Sequence, residues 1–174
     1  MTLTKDFFNR PTNISAKVIA DSIAKNGKRI TTFELEYNRF IHSEMMTHGA
    51  LVKNSSSSRA IPISKMIEQI KLNPSTPIYW GKTQSGMQAK EELTYSELKR
   101  VKELWEVAKD NAMTRATQMS LNECHKQIAN RVTEPFQMIK VVCTATDFDN
   151  FFNLRIHCLY DDTEILTTQG WKLI

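Results

Sequence analysis

The chain has 174 residues and a mass of 20.1 kDa, enough for one domain or for one domain plus an appendage. Its composition, 41% hydrophobic and 24% charged, is that of a globular protein and excludes wholesale disorder. No apolar run approaches the roughly 20 residues of a membrane helix, and the first residues lack an apolar signal-peptide core, which predicts a cytoplasmic protein without a membrane partner. A net charge of +4 fits an anionic ligand such as a nucleotide, and the lack of a long basic run argues against a nucleic-acid partner.

The first predicted unit is a β-hairpin. Residues 14–24 and 28–35 are rich in β-forming residues. They flank Asn26-Gly27, a dipeptide that favours a tight turn between antiparallel strands.

A helix, a loop and a second helix are predicted next. Apolar residues recur near helical spacing over 36–50 and again over 63–72. Between them, 53–62 contains four consecutive serines, and their hydroxyls compete with the helical hydrogen bonds of the backbone. We therefore predict a polar loop that connects two helices.

The longest predicted helix follows an irregular stretch, 73–92, that contains prolines and glycines. Thr94 and Glu97 have the spacing of a capping box at the start of this helix. Its apolar stripe consists of Leu98, Val101, Trp105, Ala108, Ala112, Ala116 and Met119. The small alanines of this stripe indicate close packing against another helix.

Three further elements are predicted after the long helix. A shorter helix covers 122–132 and ends before Pro135, and 138–145 is a buried strand or the start of a helix. A last helix covers 146–157. Its predicted inward side chains are Phe148, Phe151, Phe152 and Leu154.

The last 17 residues differ in character from the rest of the chain. They are strand-like, and their net charge is −2, from three acidic residues and one lysine. The first 157 residues, with 22 basic and 16 acidic side chains, carry +6. The main body is therefore more basic than the whole chain.

The serine-rich segment from His48 to Arg59 is a candidate phosphate-binding element. Serine hydroxyls and backbone N–H groups donate hydrogen bonds to phosphate, and an arginine provides a bidentate fork. The alternative is a flexible polar loop with a solvated arginine, as Ser-rich stretches commonly are.

Arg131 and Arg155 form a second candidate group, because each lies in or beside an apolar helix. A buried arginine there would need an anionic or carbonyl partner. The alternative is a structural ion pair with Glu134, Asp147 or Asp149.

The histidines and cysteines do not predict a metal site. His42, His48, His125 and His157 lack the ligand spacings of known metal motifs. Three cysteines, an odd number, make no disulfide framework. Cys124 and Cys143 lie in helical or apolar contexts typical of inert thiols, whereas Cys158 opens the unusual C-terminal tail.

Residues 15–157 resemble the flavin-dependent thymidylate synthases (the ThyX family) in two separated segments. The family signature runs Arg-His-Arg, two residues, Ser, one residue, Asn-Glu, one residue, Ser, one residue and Arg. Its histidine, asparagine, second serine and final arginine match, at the same spacing, His48, Asn54, Ser57 and Arg59. Segments 129–135 and 149–155 resemble two further family motifs, in which the matching positions are Arg131, Pro135, Asn150 and Arg155. Stretches 80–89 and 125–136 look like the branch found in bacteriophages and some bacteria.

This resemblance implies an α+β fold, in which a small antiparallel sheet packs against several helices including a long central helix. It implies methylation of dUMP to dTMP with FAD as cofactor, and with NADPH and methylenetetrahydrofolate as co-substrates. No cysteine attacks the uracil ring; the reduced flavin is the hydride source, and arginine charge polarises the pyrimidine. The family acts as a homotetramer with active sites shared between subunits.

The resemblance also assigns roles to individual residues. The dUMP-binding positions are Glu44, Ser57, Arg59, Arg131 and Arg155, of which Ser57 and Arg155 are also the catalytic candidates. The FAD-binding positions are His48, Asn54, Asn150 and, in place of a family arginine, Lys53.

The chain departs from the family signature at four positions. Thr47 and Gly49 stand where the family has arginines, Val52 replaces a serine and Ser55 replaces a glutamate. These departures support an alternative hypothesis, a nucleotide-binding homologue without flavin chemistry that has a structural or regulatory role.

The tail 158–174 resembles the N-terminal block of an intein, Cys-Leu-x-x-Asp-Thr-x-Ile-Leu-Thr-x-x-Gly. Cys158 would attack the preceding carbonyl and form a thioester. This predicts an incomplete ThyX-like portion, 1–157, followed by a β-type intein start, 158–174, as a split-intein half or as a chain truncated within an intein. It also predicts a C-terminal intein and extein fragment as partner. The alternatives are an ordinary C-terminal hairpin, and a chain whose main activity is splicing at Cys158.

Overall fold

A computed structural model describes residues 14–86 and 89–153, which form an α+β fold as predicted. The strands are β1 (Ser15–Ile23), β2 (Arg29–Asn38), β3 (Val52–Ser55) and β4 (Met138–Ala145). The α-helices are α1 (His42–Met46), α2 (Ile63–Leu72), α3 (Tyr95–Leu121), α4 (Lys126–Ala129) and α5 (Asp149–Asn153). Two 3-10 segments complete the described elements, Arg39–Ile41 and Asn130–Phe136. Leu154 and the tail 158–174, with its predicted β-type intein start, lie outside the described residues.

The four strands form one antiparallel sheet in the order β1-β2-β4-β3. The predicted hairpin is confirmed, since β1 and β2 pair directly and flank the Asn26-Gly27 turn. The backbone N–H of Lys28 donates to Oδ1 of Asn26 at 3.1 Å. Gly27 has φ +82°, a left-handed conformation that is costly for residues with a Cβ atom.

Gly27→Ala is expected to lower the free energy of unfolding by about 1 kcal/mol, because alanine must adopt this left-handed conformation. Gly49→Ala is the matched control, since a Cβ atom at Gly49 meets nothing within 4 Å and its φ is not left-handed. Urea unfolding followed by circular dichroism measures both variants. Equal effects of the two substitutions would contradict this account of the turn.

Strand β4 forms the centre of the sheet's core, so 138–145 is a buried strand and not the start of a helix, the two alternatives that the sequence left open. Its alternate side chains Ile139, Val141, Cys143 and Ala145 are buried on one face. They pack with Tyr37, Met45 and Leu51. The short helix α1 and the aromatic residues of α5 thus cover one face of the sheet.

The helices form a second core beside the sheet. Met66 and Ile70 of α2 pack against Ala112 of α3 and against Phe136. The predicted capping box is confirmed, because the backbone N–H of Thr94 donates to Oε2 of Glu97 at 3.0 Å.

The apolar stripe predicted for α3 is wrong at one position, Ala108, which is exposed. At about 1.5 Å per residue, the 27-residue α3 is far longer than the 10-residue α2. The helix α2 therefore covers only part of it. No helix of the described residues is both long and apolar enough to cross a bilayer.

Two buried polar residues join the sheet to the helical core. The hydroxyl of Ser75 donates to Oδ1 of Asn38 at 2.9 Å, and Nδ2 of Asn38 donates to the carbonyl of Thr76 at 3.1 Å. Nε1 of Trp105 donates to the carbonyl of Ser75 at 3.3 Å. The irregular stretch 73–92 is thus anchored to the sheet and to α3.

Predictions for the first half of the chain are wrong where strands replace other elements. The segment 36–50 is not one helix, because β2 continues to Asn38 and pairs with β4 there. The segment 53–62 is not wholly a loop, because β3 also pairs with β4. In both places a distant strand supplies the hydrogen bonds.

Two further predictions need correction near the C-terminal part of the described chain. The predicted helix 122–132 is a short α-helix followed by a 3-10 segment that includes Pro135. Pro135 is the sixth of the seven residues of this segment, so helical backbone continues past residue 132 as 3-10 turns up to Phe136. Phe152 of α5 is 39% exposed and is not the inward side chain that the sequence predicted.

Candidate functional site

The serine loop that follows β3 folds against the 3-10 segment Asn130–Phe136. Nδ2 of the buried Asn130 donates to the carbonyls of Ser58 and Ile61, at 2.8 and 2.9 Å. The hydroxyl of Ser58, a buried residue, donates to Oε1 of Glu134 at 3.1 Å. Nζ of Lys126 donates to the carbonyl of Ala60 at 3.0 Å. These contacts set the shape of the loop 56–62.

The loop therefore lies beside Arg131, the predicted phosphate ligand from a distant part of the sequence. Nη1 of Arg131 is 3.3 Å from Oε1 of Glu134, and the Arg131 side chain is 58% exposed. The ion pair of Arg131 with Glu134 is one of the structural alternatives that the sequence allowed for this arginine. Ser57 and Arg59 are exposed on the same loop, and the backbone N–H of Arg59 donates to Oγ of Ser57 at 3.3 Å. Three predicted dUMP-binding residues are thus brought to one region.

Arg39 belongs to the same region, although sequence reasoning did not single it out. Its backbone N–H donates to the carbonyl of Gln137 at 2.9 Å, and its Nη2 donates to the carbonyl of Ser56 at 3.2 Å. Burial lowers the pKa of Arg39, an effect that the charge of Arg131 reinforces and that of Glu134 opposes. The arginine lines a cavity of about 330 Å³ with Ser56 and Gln137. No sequence pattern distinguishes an isolated arginine at the end of a strand that belongs to a binding site from an arginine that is simply exposed to solvent.

The remaining predicted residues lie around a larger, apolar cavity. This cavity of about 450 Å³ is bounded by Glu44, Tyr37 and Cys143, and by the aromatic residues of α5. The ring of His48 lies edge-on to Phe151, one of the lining residues, with 5.3 Å between ring centroids. Nζ of Lys53 donates to the carbonyl of His48. Glu44 therefore lines this cavity, whereas His48 contacts it only through Phe151, and Lys53 is linked to it only through its hydrogen bond to His48.

The short strand β3 separates the two groups of residues. His48 precedes it and Ser57 follows it, so the four residues of this strand lie between them along the chain. Lys53 is opposite Cys143 on the covered face of the sheet. Asn54 is opposite Val142 and is exposed, so the two predicted FAD residues of β3 point to opposite faces.

The other candidates are less well placed or lie outside the described residues. Asn150 is exposed at the start of α5, one residue before Phe151. Arg155 and Cys158 lie outside the described residues. Burial raises the pKa of the Cys143 thiol, as expected for an inert cysteine. Within 14–86 and 89–153, no three His, Cys, Asp or Glu side chains are grouped so that they could hold a metal ion.

Tyr37 and His42 form a polar pair at the apolar cavity. The Tyr37 hydroxyl is 2.8 Å from Nδ1 of His42. Burial, assisted by the charges of Arg39 and Lys53, lowers the pKa of His42. The imidazole is therefore neutral at pH 7, and Nδ1 can accept the hydrogen bond of the phenol.

The free energy of unfolding is expected to fall as the pH rises from about 10 to about 12. Burial raises the pKa of Tyr37 to about 12, whereas a phenol in the unfolded chain ionises near pH 10. The contribution of neutral Tyr37 is present in full below the unfolded pKa and is lost as the pH approaches the folded pKa. Urea unfolding across this window measures the loss, and Tyr37→Phe should reduce it. An equal loss in both proteins would contradict the assignment.

Comparison with known proteins finds similarity of fold and no match in sequence. No family model matches the chain, and no curated protein matches it in sequence. A crystal structure of PolB, a UMP/dUMP methylase from Streptomyces cacaoi, bound with 5-Br UMP, matches with a TM-score of 0.67 and 12% identity, over 85% of this chain and 79% of that chain. The structure of PolB bound with 5-Br dUMP matches with a TM-score of 0.59 and 12% identity, over 85% and 80% of the two chains. The chain therefore has a fold similar to that of a UMP/dUMP methylase, with a four-stranded antiparallel sheet and a long helix.

Proposed function

We propose that the chain is the N-terminal portion of an enzyme that methylates dUMP to dTMP. The observation that carries the proposal is the approach of Arg131 to the serine loop, joined through Glu134. It places Ser57, Arg59 and Arg131 in one region of a fold that is similar to a UMP/dUMP methylase. The ThyX-like spacing of these residues supports the same conclusion.

The loop region has the chemistry that a nucleotide phosphate requires. The phosphate of dUMP carries nearly two negative charges at neutral pH. Arg59 and Arg131 would provide charge-assisted hydrogen bonds to it, and Ser57 would donate from its hydroxyl. All three side chains belong to residues that are exposed to an incoming ligand.

The apolar cavity fits the ring end of a flavin. Its lining consists of aliphatic and aromatic side chains together with Glu44. The ring of His48 contacts Phe151, one of the lining residues. Flat heterocycles bind in such apolar clefts, where a few polar groups orient them. We propose that His48, Lys53 and Asn150 hold FAD at this cavity; Asn54, the fourth predicted FAD residue, faces the opposite side of the sheet and would not reach it. When bound, reduced FAD would supply the hydride for the methyl transfer.

The protein's own residues would position the substrate. Glu44, at the edge of the apolar cavity, would orient the pyrimidine ring. Arg155 would stabilise the charge that develops on the ring. The serine loop would hold the phosphate. NADPH and methylenetetrahydrofolate are the proposed co-substrates, and a homotetramer is the proposed assembly.

Calorimetric titration with dUMP and the visible absorbance of the protein after mixing with FAD test this function. We expect the chain to bind dUMP, and the protein joined to its C-terminal part to be yellow and to oxidise NADPH. A joined protein that neither binds dUMP nor oxidises NADPH would refute the enzyme.

A second candidate function is nucleotide binding without flavin chemistry. This candidate is supported by Thr47 and Gly49, which stand where the family has arginines and provide no positive charge. The Thr47 hydroxyl donates to the carbonyl of Glu44 at 2.7 Å, and Gly49 has no side chain. Binding of dUMP without any flavin absorbance would favour this candidate.

Splicing is the proposed role of the tail. The Cys158 thiol would attack the carbonyl carbon of His157; the amide C–N bond breaks, a thioester forms, and the amino group of Cys158 is freed. Mass spectrometry of the chain combined with its C-terminal partner should detect the spliced product. Cys158→Ala should abolish it, and continued splicing with alanine would reject the assignment.

A further inference from the structure

We infer that Glu134, which accepts a hydrogen bond from the buried Ser58, is an internal anion that competes with the nucleotide phosphate for Arg131 and thereby sets the phosphate affinity of the serine loop. The inference rests on the proposed function, because it names a determinant of the same site. No motif of the resemblance includes this glutamate as a ligand. The inference concerns the carboxylate of Glu134 and its two hydrogen-bond donors, Ser58 and Arg131.

The first observation is that one carboxylate accepts hydrogen bonds from both parts of the site. Oε1 of Glu134 is 3.1 Å from Oγ of Ser58 and 3.3 Å from Nη1 of Arg131. Its Oε2 lies 3.5 Å from the same Nη1. A hydroxyl and a guanidinium that converge on one anionic group are the donors that a phosphate oxygen would use.

The second observation is that the loop has anchors other than this carboxylate. Asn130 is 1% exposed and holds the loop through the carbonyls of Ser58 and Ile61. Lys126 holds it through the carbonyl of Ala60. Glu134 can therefore release Arg131 while these anchors hold the loop.

The third observation is a second cation, Arg39, that interacts electrostatically with both Glu134 and Arg131. Its Nη2 is bound to the carbonyl of Ser56. Its buried Nε has no acceptor among the described residues. A carboxylate displaced from Arg131 thus remains close to positive charge, which keeps the cost of the exchange small.

The charge balance gives the direction of the effect. Arg39, Arg131 and Glu134 together carry +1, and removal of the carboxylate charge raises this to +2. A phosphate dianion should therefore bind more tightly to a Glu134→Gln variant, by at least about fivefold, the effect of two unit charges about 4 Å apart at the dielectric constant of water. The affinity of the variant for phosphate should also fall more steeply with salt concentration, because one more positive charge is no longer neutralised by the carboxylate and attracts the phosphate. If Glu134 served only to position Arg131, the same substitution would weaken binding.

The test is isothermal titration of the 174-residue chain with dUMP and with inorganic phosphate, at low and at high salt. The variants are Glu134→Gln and the matched control Glu106→Gln. Glu106 is exposed, forms an i,i+3 ion pair with the half-buried Lys109 on α3, and loses the same charge. Circular dichroism and thermal unfolding verify that each variant is folded.

We expect tighter binding of both ligands by Glu134→Gln alone, with a steeper salt dependence. Unchanged or weaker binding by the folded variant would overturn the inference and leave the proposed function intact. If Glu134→Gln binds inorganic phosphate more tightly while neither the wild-type chain nor a variant binds dUMP, the inference is supported and the proposed function is refuted. Failure of every protein to bind either ligand would overturn both.

Discussion

Replacing Arg59 with glutamine is expected to weaken dUMP binding by about 10- to 100-fold. In the proposed site, Arg59 donates charge-assisted hydrogen bonds to the phosphate, and bonds to charged groups contribute about 1.5–3 kcal/mol each. Every 1.4 kcal/mol changes the dissociation constant about tenfold. Titration calorimetry of the wild-type chain and of Arg59→Gln measures the difference directly.

The structure makes this variant a clean probe of binding. Arg59 is exposed, and the salt bridges among the described residues do not involve it. The free energy of unfolding should therefore change by less than about 0.5 kcal/mol. Arg100→Gln, on the exposed surface of α3, is the control that removes the same charge elsewhere. Equal weakening by both variants would show that only the overall charge matters, which contradicts a phosphate site at the loop.

Replacing Ile70 with alanine is expected to lower the free energy of unfolding by about 2–4 kcal/mol. Ile70 is 1% exposed and packs in the helical core with Met66, Ala112 and Phe136. Alanine at this position loses the buried methyl groups and leaves a cavity between α2 and α3. Urea unfolding, analysed as a two-state transition, measures the loss.

Leu72→Ala is the matched control on the same helix. Leu72 is 79% exposed, so its truncation should cost less than about 0.5 kcal/mol. Both substitutions change helix propensity by small amounts. A similar loss in the two variants would mean that α2 does not pack against α3 through Ile70, and would contradict the helical core.

The proposed site was partly predictable from the sequence. The spacing of His48, Ser57 and Arg59 grouped these residues because they are neighbours along the chain. Arg131 was recognised as a candidate, and Glu134 as its alternative partner, because the two are three residues apart. Sequence reasoning could not place Arg131 beside the serine loop, since more than 70 residues separate them. Arg39 was missed because its role depends on contacts with Gln137 and Ser56.

Local chemistry was sufficient for several elements of the fold. The Asn26-Gly27 turn, the capping box at Thr94 and the amphipathic helix α2 were predicted correctly. Each depends on backbone preferences or side-chain spacing within a few residues. These interactions are available to the chain before any distant contact forms.

Only the tertiary structure decided where β2 ends and that Val52–Ser55 is a strand. Both depend on β4, about 90 to 100 residues further along the chain, which supplies the missing backbone hydrogen bonds. The same pairing sets Lys53 and Asn54 on opposite faces of the sheet. Local sequence patterns identify residues that can bind phosphate. Which of these residues lie close together is determined by the pairing of distant strands. Hydrogen bonds between strands can join segments at any distance along the sequence, so this pairing cannot be derived from local patterns.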